Sequence, residues 1–295
     1  MLGLFAGLLL PSLATALRPW IAELVMLMLT LTAFRIGPRS TFGGFADLRT
    51  TLSVALVLQF LLPVSAYFVF YFLGYDSAPI ALVVVLMLSA PSLTGSPNFT
   101  LMLGHDPAPA LRLLLTGTAL LPLTALPALA LLPLGGDLLA VVLAALRLFG
   151  AICVAVVIGF TLRSTLFRAL STEATQALDG LSAITLAVTV IGLMSALGPA
   201  LLNDPFLVAR WMAVAIALCL GLQVLSYIVL LKTPLRHQAV PFSIVAGNRN
   251  VALFLLALPA ATTDPLLIFL ACYQFPMYLT PIVMRRVFRM PVRLP

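Results

Sequence analysis

Two stretches, Ala90-Pro91-Ser92-Leu93-Thr94-Gly95-Ser96-Pro97-Asn98 and Ala246-Gly247-Asn248-Arg249-Asn250, decide how this chain is read. Each interrupts a long apolar run, and Gly, Pro and Asn are poor residues for the interior of a helix. Each therefore predicts a helix that breaks partway along its length. Aligned without gaps from Gly95 and Gly247, GSPNFTLML and GNRNVALFL share Gly, Asn, Leu and Leu at the same four places, 152 residues apart. A second echo sets LVLQFL, Leu56 to Leu61, against LGLQVL, Leu220 to Leu225, and so pairs Gln59 with Gln223.

The surroundings say what solvent those helices meet. Of 295 residues, 62% are hydrophobic and 8% charged, with a mean hydropathy of +1.18, whereas a soluble domain carries about 25% charged residues. Such a chain takes lipid as its solvent. A crossing helix needs about 20 apolar residues, and apolar runs lie near 2–17, 19–36, 51–74, 78–103, 108–133, 138–163, 175–197, 206–231, 239–260 and 264–284. The expected fold class is thus an all-α membrane protein of about ten transmembrane helices. The alternating polarity of a barrel is absent. The echoes fall in spans three and four of one half and spans eight and nine of the other. The chain therefore reads as a single transmembrane unit, residues 1–295, of two five-span halves, approximately 1–135 and 136–295. Five is odd, so the halves would lie inverted in the membrane.

Net charge +7 and a pI near 9.9 would suggest nucleic acid in a soluble protein. Here the basic residues sit mainly between apolar runs, so the expected partner is the lipid bilayer and not nucleic acid. With the N-terminus cytoplasmic, one side collects Arg35, Arg39, Arg49, Arg112, Arg163, Arg168, Lys232, Arg236, Arg285, Arg286, Arg289 and Arg293. The other side holds Arg18 and Arg210, with Asp76, Asp137, Asp204 and Asp264. Positively charged loops stay in the cytoplasm, which predicts a multi-pass protein of the inner (cytoplasmic) membrane with both termini inside. Met1 to Leu10, followed by Ala14-Thr15-Ala16, has the outline of a signal peptide, but no basic residue precedes it. We read it as a retained first helix.

Backbone that leaves a helix at membrane depth must be buried in protein or line a wet cavity. Two breaks at matched positions of an inverted repeat point to one shared site. Its candidate substrate-binding side chains are Thr94, Ser96, Asn98, Asn248, Arg249 and Asn250, with Gln59 as ion or substrate support. Together they offer hydroxyls, amides and one fixed cation, a set suited to a polar or anionic ligand. Arg249 is the sharpest of them, because an Arg near mid-bilayer costs about 2.5–3.5 kcal/mol on insertion scales and usually serves function. The competing reading is that Pro97 and Gly247 only kink helices, with Arg249 binding only backbone carbonyls.

Glu23, Arg147 and Asp179 read as structural, and His105-Asp106 beside Pro107 as a turn. Cys153, Cys219 and Cys272 show no CxxC or Cys/His spacing, so neither a disulfide framework nor a zinc site is indicated. No Ser/His/Asp order, phosphate loop or metal-ligand spacing is found, so the chain is not read as an enzyme and no organic cofactor or metal is expected.

At these same residues the chain resembles the bile acid:sodium symporter family. The resemblance is carried by Gln59-Phe60 with Pro63, Thr-Gly-Ser-x-Asn at 94–98 and Gly-x-x-Asn at 247–250, in a layout covering nearly the whole chain. It implies a ten-helix inverted repeat with a core of spans three to five and eight to ten, and a panel of spans one, two, six and seven. It also implies two unwound helices that cross, and alternating access for organic anions. The departures concern sodium. Where the family reads Glu-x-Gly-x-Gln-Asn, this chain reads Val245-Ala246-Gly247-Asn248-Arg249-Asn250, so the sodium-binding Glu and Gln are replaced by Val245 and Arg249. Residues around Ala110 and Leu114 are apolar where the family's other sodium site has hydroxyls, with Thr116 and Thr118 nearby. Gln59, Asn98 and Asn250 are retained, Pro97 reads as an insertion, and the cysteine that arsenite carriers place at the first break is absent.

The resulting expectation is a secondary transporter of a small organic anion, working by alternating access, with sodium coupling left open. The alternative is a non-transporting membrane ligand sensor or assembly protein that retains the fold. A channel fits less well, because the site lies between half-helices and not along a lined pore.

Overall fold

Lipid cannot satisfy backbone N–H and C=O groups, so a spanning segment must satisfy them internally, as a helix does. The computed structural model describes residues 2–43, 47–131, 138–165, 171–258 and 260–288, and these are helical nearly throughout. Asp137, Arg168, Arg289 and Arg293 lie outside the described residues.

In chain order the helices are α1 (Leu2–Leu9), α2 (Pro11–Leu17), α3 (Ile21–Gly43), α4 (Leu48–Leu56), α5 (Leu62–Phe72), α6 (Pro79–Ser89), α7 (Ser96–Met102) and α8 (Ala108–Leu131). There follow α9 (Leu138–Thr165), α10 (Thr172–Leu193), α11 (Leu197–Asn203), α12 (Pro205–Ile216), α13 (Leu222–Leu231), α14 (Ala239–Gly247) and α15 (Ala260–Val287). A π-helical turn at Val57–Leu61 joins α4 and α5 into one rod, and another at Ala217–Gly221 joins α12 and α13. Such turns insert one extra residue into a helix and recur at functional sites.

Among the described residues, seven helical stretches are long and apolar enough to cross a membrane: Pro11–Gly37, Leu48–Phe72, Ala108–Leu131, Leu139–Thr165, Thr172–Asn203, Pro205–Leu231 and Leu266–Val287. The chain is an all-α, multi-pass membrane protein. Three of the expected spans are not continuous helices. Those near 78–103 and 239–260 contain the anticipated breaks. The one near 2–17 is a correction, because it divides into α1 and α2 at Leu10 (φ −120°, ψ 70°), and α2 runs on into α3 within the single stretch Pro11–Gly37. Pro11 is the cause, since a residue before proline is pushed out of the α region. Eight residues of α1 reach only about 12 Å.

The same local rule acts at Gly37, which precedes Pro38 inside α3 and takes φ 71°, ψ 163°. The positive φ favours glycine there, and a Cβ would also press on the Arg163 side chain at 3.0 Å, where α3 packs on α9.

Helices α1, α2 and α3 pack along α10, and α3 also packs on α9. The α4–α5 rod lies against α6 and α8, α12 lies against α15, and α13 against α14, which also touches α7 and α8. An Arg35 Nε to Asp179 Oδ1 ion pair of 2.5 Å ties α3 to α10. Both side chains are about 40% exposed, so the pair is worth at most about 1 kcal/mol. Large apolar side chains such as Leu9, Phe72, Leu202 and Phe206 face outward, as lipid permits. One of the largest fully buried side chains is a charged one, Arg249.

Candidate functional site

Pro91 ends α6, because Ala90 before it is forced extended (φ −65°, ψ 148°). The chain turns through Thr94-Gly95 and restarts as α7 with a proline at its first turn, where the missing N–H costs nothing. The second break follows Gly247, with Asn248 (φ −107°, ψ 96°) and Asn250 (φ −90°, ψ 67°) non-helical before a 3-10 turn at Val251–Leu256.

The two breaks lie antiparallel, and each satisfies the other. Leu93 N–H donates to the Asn248 carbonyl and Asn250 N–H to the Pro91 carbonyl, both at 2.9 Å, around an antiparallel bridge between Ser92 and Arg249. Two strand-like fragments thus answer the requirement that non-helical backbone at membrane depth be paired within protein.

Arg249 holds this crossing from within. Its Nε donates to the Ala246 carbonyl at 3.0 Å, Nη1 to the Ala90 carbonyl at 3.0 Å and Nη2 to the Leu58 carbonyl at 3.4 Å. All three acceptors are carbonyls left over by broken helix. Ala246 and Ala90 stand at the ends of α14 and α6. In the π turn Leu62 N–H bonds to Val57, five residues back, which sets Leu58 opposite Pro63, a residue with no N–H. The Tyr273 hydroxyl completes the staple, donating to the Gly247 carbonyl and accepting from Arg249 N–H at 2.8 Å. Among the described residues no carboxylate pairs with Arg249, and its side chain binds only backbone carbonyls, as the competing reading of the sequence had it.

Asn248 is also committed. Its Nδ2 donates to the Ile244 carbonyl at 3.0 Å and its Oδ1 accepts from Thr280 at 3.2 Å. Each rod contributes one buried glutamine to a neighbour: Gln59 Nε2 donates to the Gly117 carbonyl on α8, and Gln223 Nε2 to Thr280 Oγ1 on α15, both at 3.1 Å.

Two cavities flank the crossing. One, of about 160 Å³, lies between α3, α8 and α9 and is lined mainly by apolar groups such as Leu29, Leu114, Ile152 and Phe160, with Thr32 and Thr118. The other, of about 50 Å³, lies between α3, α10 and α15 and presents Thr189, Tyr273 and Gln274. Thr94 and Asn250 line both cavities, and Arg249 lines the second.

Of the six candidate residues, the structure therefore brings Thr94, Arg249 and Asn250 to the cavities. Ser96 is fully buried with its Oγ unpartnered, Asn248 is buried in the hydrogen bonds above, and Asn98 is exposed outside both linings. Thr32, Thr189, Tyr273 and Gln274 were not among the residues singled out by sequence, and Thr118 was noted only as a hydroxyl near the position of the family's other sodium site. Of these, Gln274 carried a usable signal, a polar amide inside a long apolar span. Val245 packs with Ala110, Leu113 and Phe242 in an apolar cluster beside the crossing.

No protein-family model matches this chain, and no curated protein matches it. The likeness to the bile acid:sodium symporter family rests on the residues quoted above.

Proposed function

We propose that the chain is a secondary transporter of a small organic anion, working by alternating access around the crossing of the two broken helices. The observation that carries this reading is the buried charge of Arg249, which among the described residues meets backbone carbonyls and no carboxylate, beside two cavities that share Thr94 and Asn250. A buried cation without a protein counter-ion is costly, and an anion in either cavity would relieve that cost through the field of the guanidinium while Thr94 and Asn250 supply direct hydrogen bonds.

The same reading takes the chain as an inverted repeat of the inner membrane with a cytoplasmic C-terminus, α1 standing where the first of the ten expected spans would be without crossing by itself. Its core is α4 to α8 with α12 to α15, rocking against a panel of α1 to α3, α9 and α10. Support comes from the repeated device of a π-turned rod whose glutamine reaches the helix that follows the break, Gln59 to α8 and Gln223 to α15. Arg249 takes the place of a bound cation, fastening carbonyls with a charge that is permanent. With Val245 and Ala110 making the neighbouring space apolar, transport is independent of a sodium gradient.

The test is uptake and counterflow of a panel of small radiolabelled carboxylates in proteoliposomes, with sodium and with sodium replaced by choline. Saturable counterflow that is equal in both salts is expected. Strict dependence on sodium would overturn the role given to Arg249. A carboxylate that raises the melting temperature of the purified protein yet gives no flux would overturn transport in favour of ligand sensing.

A further inference from the structure

A third cavity, of about 440 Å³, opens on the outer surface of the helix bundle, away from the crossing. It is a groove between the start of α6 (Ala78, Pro79, Ile80), one face of α12 and Ile268 of α15. The α12 face follows the helical repeat, Leu207, Trp211 and Val214, so the groove floor is apolar, with Trp211 set edge-on against Phe269. At its rim stands Arg210, an exposed cation that makes no hydrogen bond or ion pair among the described residues.

The position of Arg210 defines what can lie there. It is five residues into α12, about 7.5 Å below the helix start, within the reach of a snorkelling Arg whose charged head seeks the headgroup layer. The surface on which the groove opens belongs to Pro205–Leu231, a stretch apolar enough to face hydrocarbon. An occupant must therefore combine a hydrocarbon tail with an anionic head at the depth of the helix ends. We propose that this groove is a binding site for an anionic phospholipid, whose acyl chain lies along Leu207, Trp211 and Val214 and whose phosphate meets Arg210. Guanidinium and phosphate match in charge and in hydrogen-bond geometry.

The proposal is tested by native mass spectrometry of the full-length protein in detergent, titrated with phosphatidylglycerol or with phosphatidylcholine of identical acyl chains. One basic contact predicts about fivefold tighter retention of phosphatidylglycerol. The ratio falls to about one in Arg210→Gln, while Val214→Trp, which fills the groove, weakens retention of both lipids. Folding of each variant is checked by its melting temperature without added lipid. Equal retention of the two lipids by the wild type, or an undiminished preference in Arg210→Gln, would overturn the site. So would displacement of the lipid by soluble glycerol 3-phosphate, which lacks the tail that the groove is proposed to hold. A dimer that forms without lipid preference and is lost in Arg210→Gln would assign the groove to a second copy instead.

Discussion

At the second break Asn248 and Arg249 spend their side chains on the protein itself, whereas at the first break Thr94, Ser96 and Asn98 make no side-chain hydrogen bonds among the described residues. The backbones are alike, each extended for a few residues and each paired with the other. What differs is the division of labour: one break supplies the fastening, and the other brings Thr94, which with Asn250 faces the cavities with its side chain unbonded among the described residues. A crossing of two broken helices is therefore symmetric as a scaffold and asymmetric as a site.

The sharpest way to break that contrast is to remove the fastening. Arg249→Met leaves the carbonyls of Leu58, Ala90 and Ala246 buried and unpaired, at about 1–3 kcal/mol each. Loss of folded protein, or a fall in melting temperature equivalent to more than about 3 kcal/mol, is expected in detergent. A variant that melts like the wild type would show that the carbonyls have other donors.

Next come the glycines that open the two stretches. A Cβ on Gly247 would lie 2.0 Å from the Cys219 carbonyl in the second π turn, backbone that cannot step aside. Gly247→Ala should cost about 1–3 kcal/mol. Gly95→Ala meets nothing closer than 3.7 Å, at an ordinary φ of −78°, and should stay within about 0.5 kcal/mol of wild type. Equal melting temperatures for the two variants would erase the asymmetry.

Smaller effects are expected from the free groups. Thr94→Val and Asn250→Ala should each lower carboxylate uptake about fivefold, the loss of one hydrogen bond of about 1 kcal/mol, with melting temperature unchanged. Asn98→Ala, outside both cavities, should transport normally. Uptake lost in Asn98→Ala and retained in Asn250→Ala would move the site to the other side of α7.

The smallest effect lies where the chain approaches α14. Gln238 Nε2 donates to Asp47 Oδ2 at 3.4 Å. A Thr50 hydrogen bond first, then Gln238, with Arg112 and His237 adding charge, holds the Asp47 carboxyl below its ordinary value of 3.8. A depressed carboxylate stabilises the fold above its unfolded pKa, and that share is lost as pH falls from about 3.8 through the lower folded value. Melting curves recorded from pH 7 to pH 3 should show a slightly shallower acid decline for Asp47→Asn than for wild type.

The breaks themselves were legible because Pro91, Pro97 and Gly247 act on their immediate neighbours, and the apolar runs announced the membrane. Leu10-Pro11 carries the same local information, but the apolar run continues on both sides of the proline and masks the break. The partners of Arg249 were not legible, since one of them, Leu58, is 191 residues away. Pro63 leaves a carbonyl without a donor but does not say which cation will reach it. Asn98 was placed at the site by alignment with Asn250, yet one residue of α7 turns a side chain by about 100°, enough to face it away from the cavities.

The backbone pairing between Pro91–Leu93 and Asn248–Asn250 also has a consequence for biosynthesis. The first break leaves the ribosome about 155 residues before its partner, which at about 5–20 residues per second is a wait of ~8–30 s. Throughout that interval the Pro91 carbonyl and the Leu93 amide lack these partners, and hydrocarbon offers none. A membrane that received residues 78–103 alone would hold the Pro91 carbonyl and the Leu93 amide without the partners that residues 248–250 later bring.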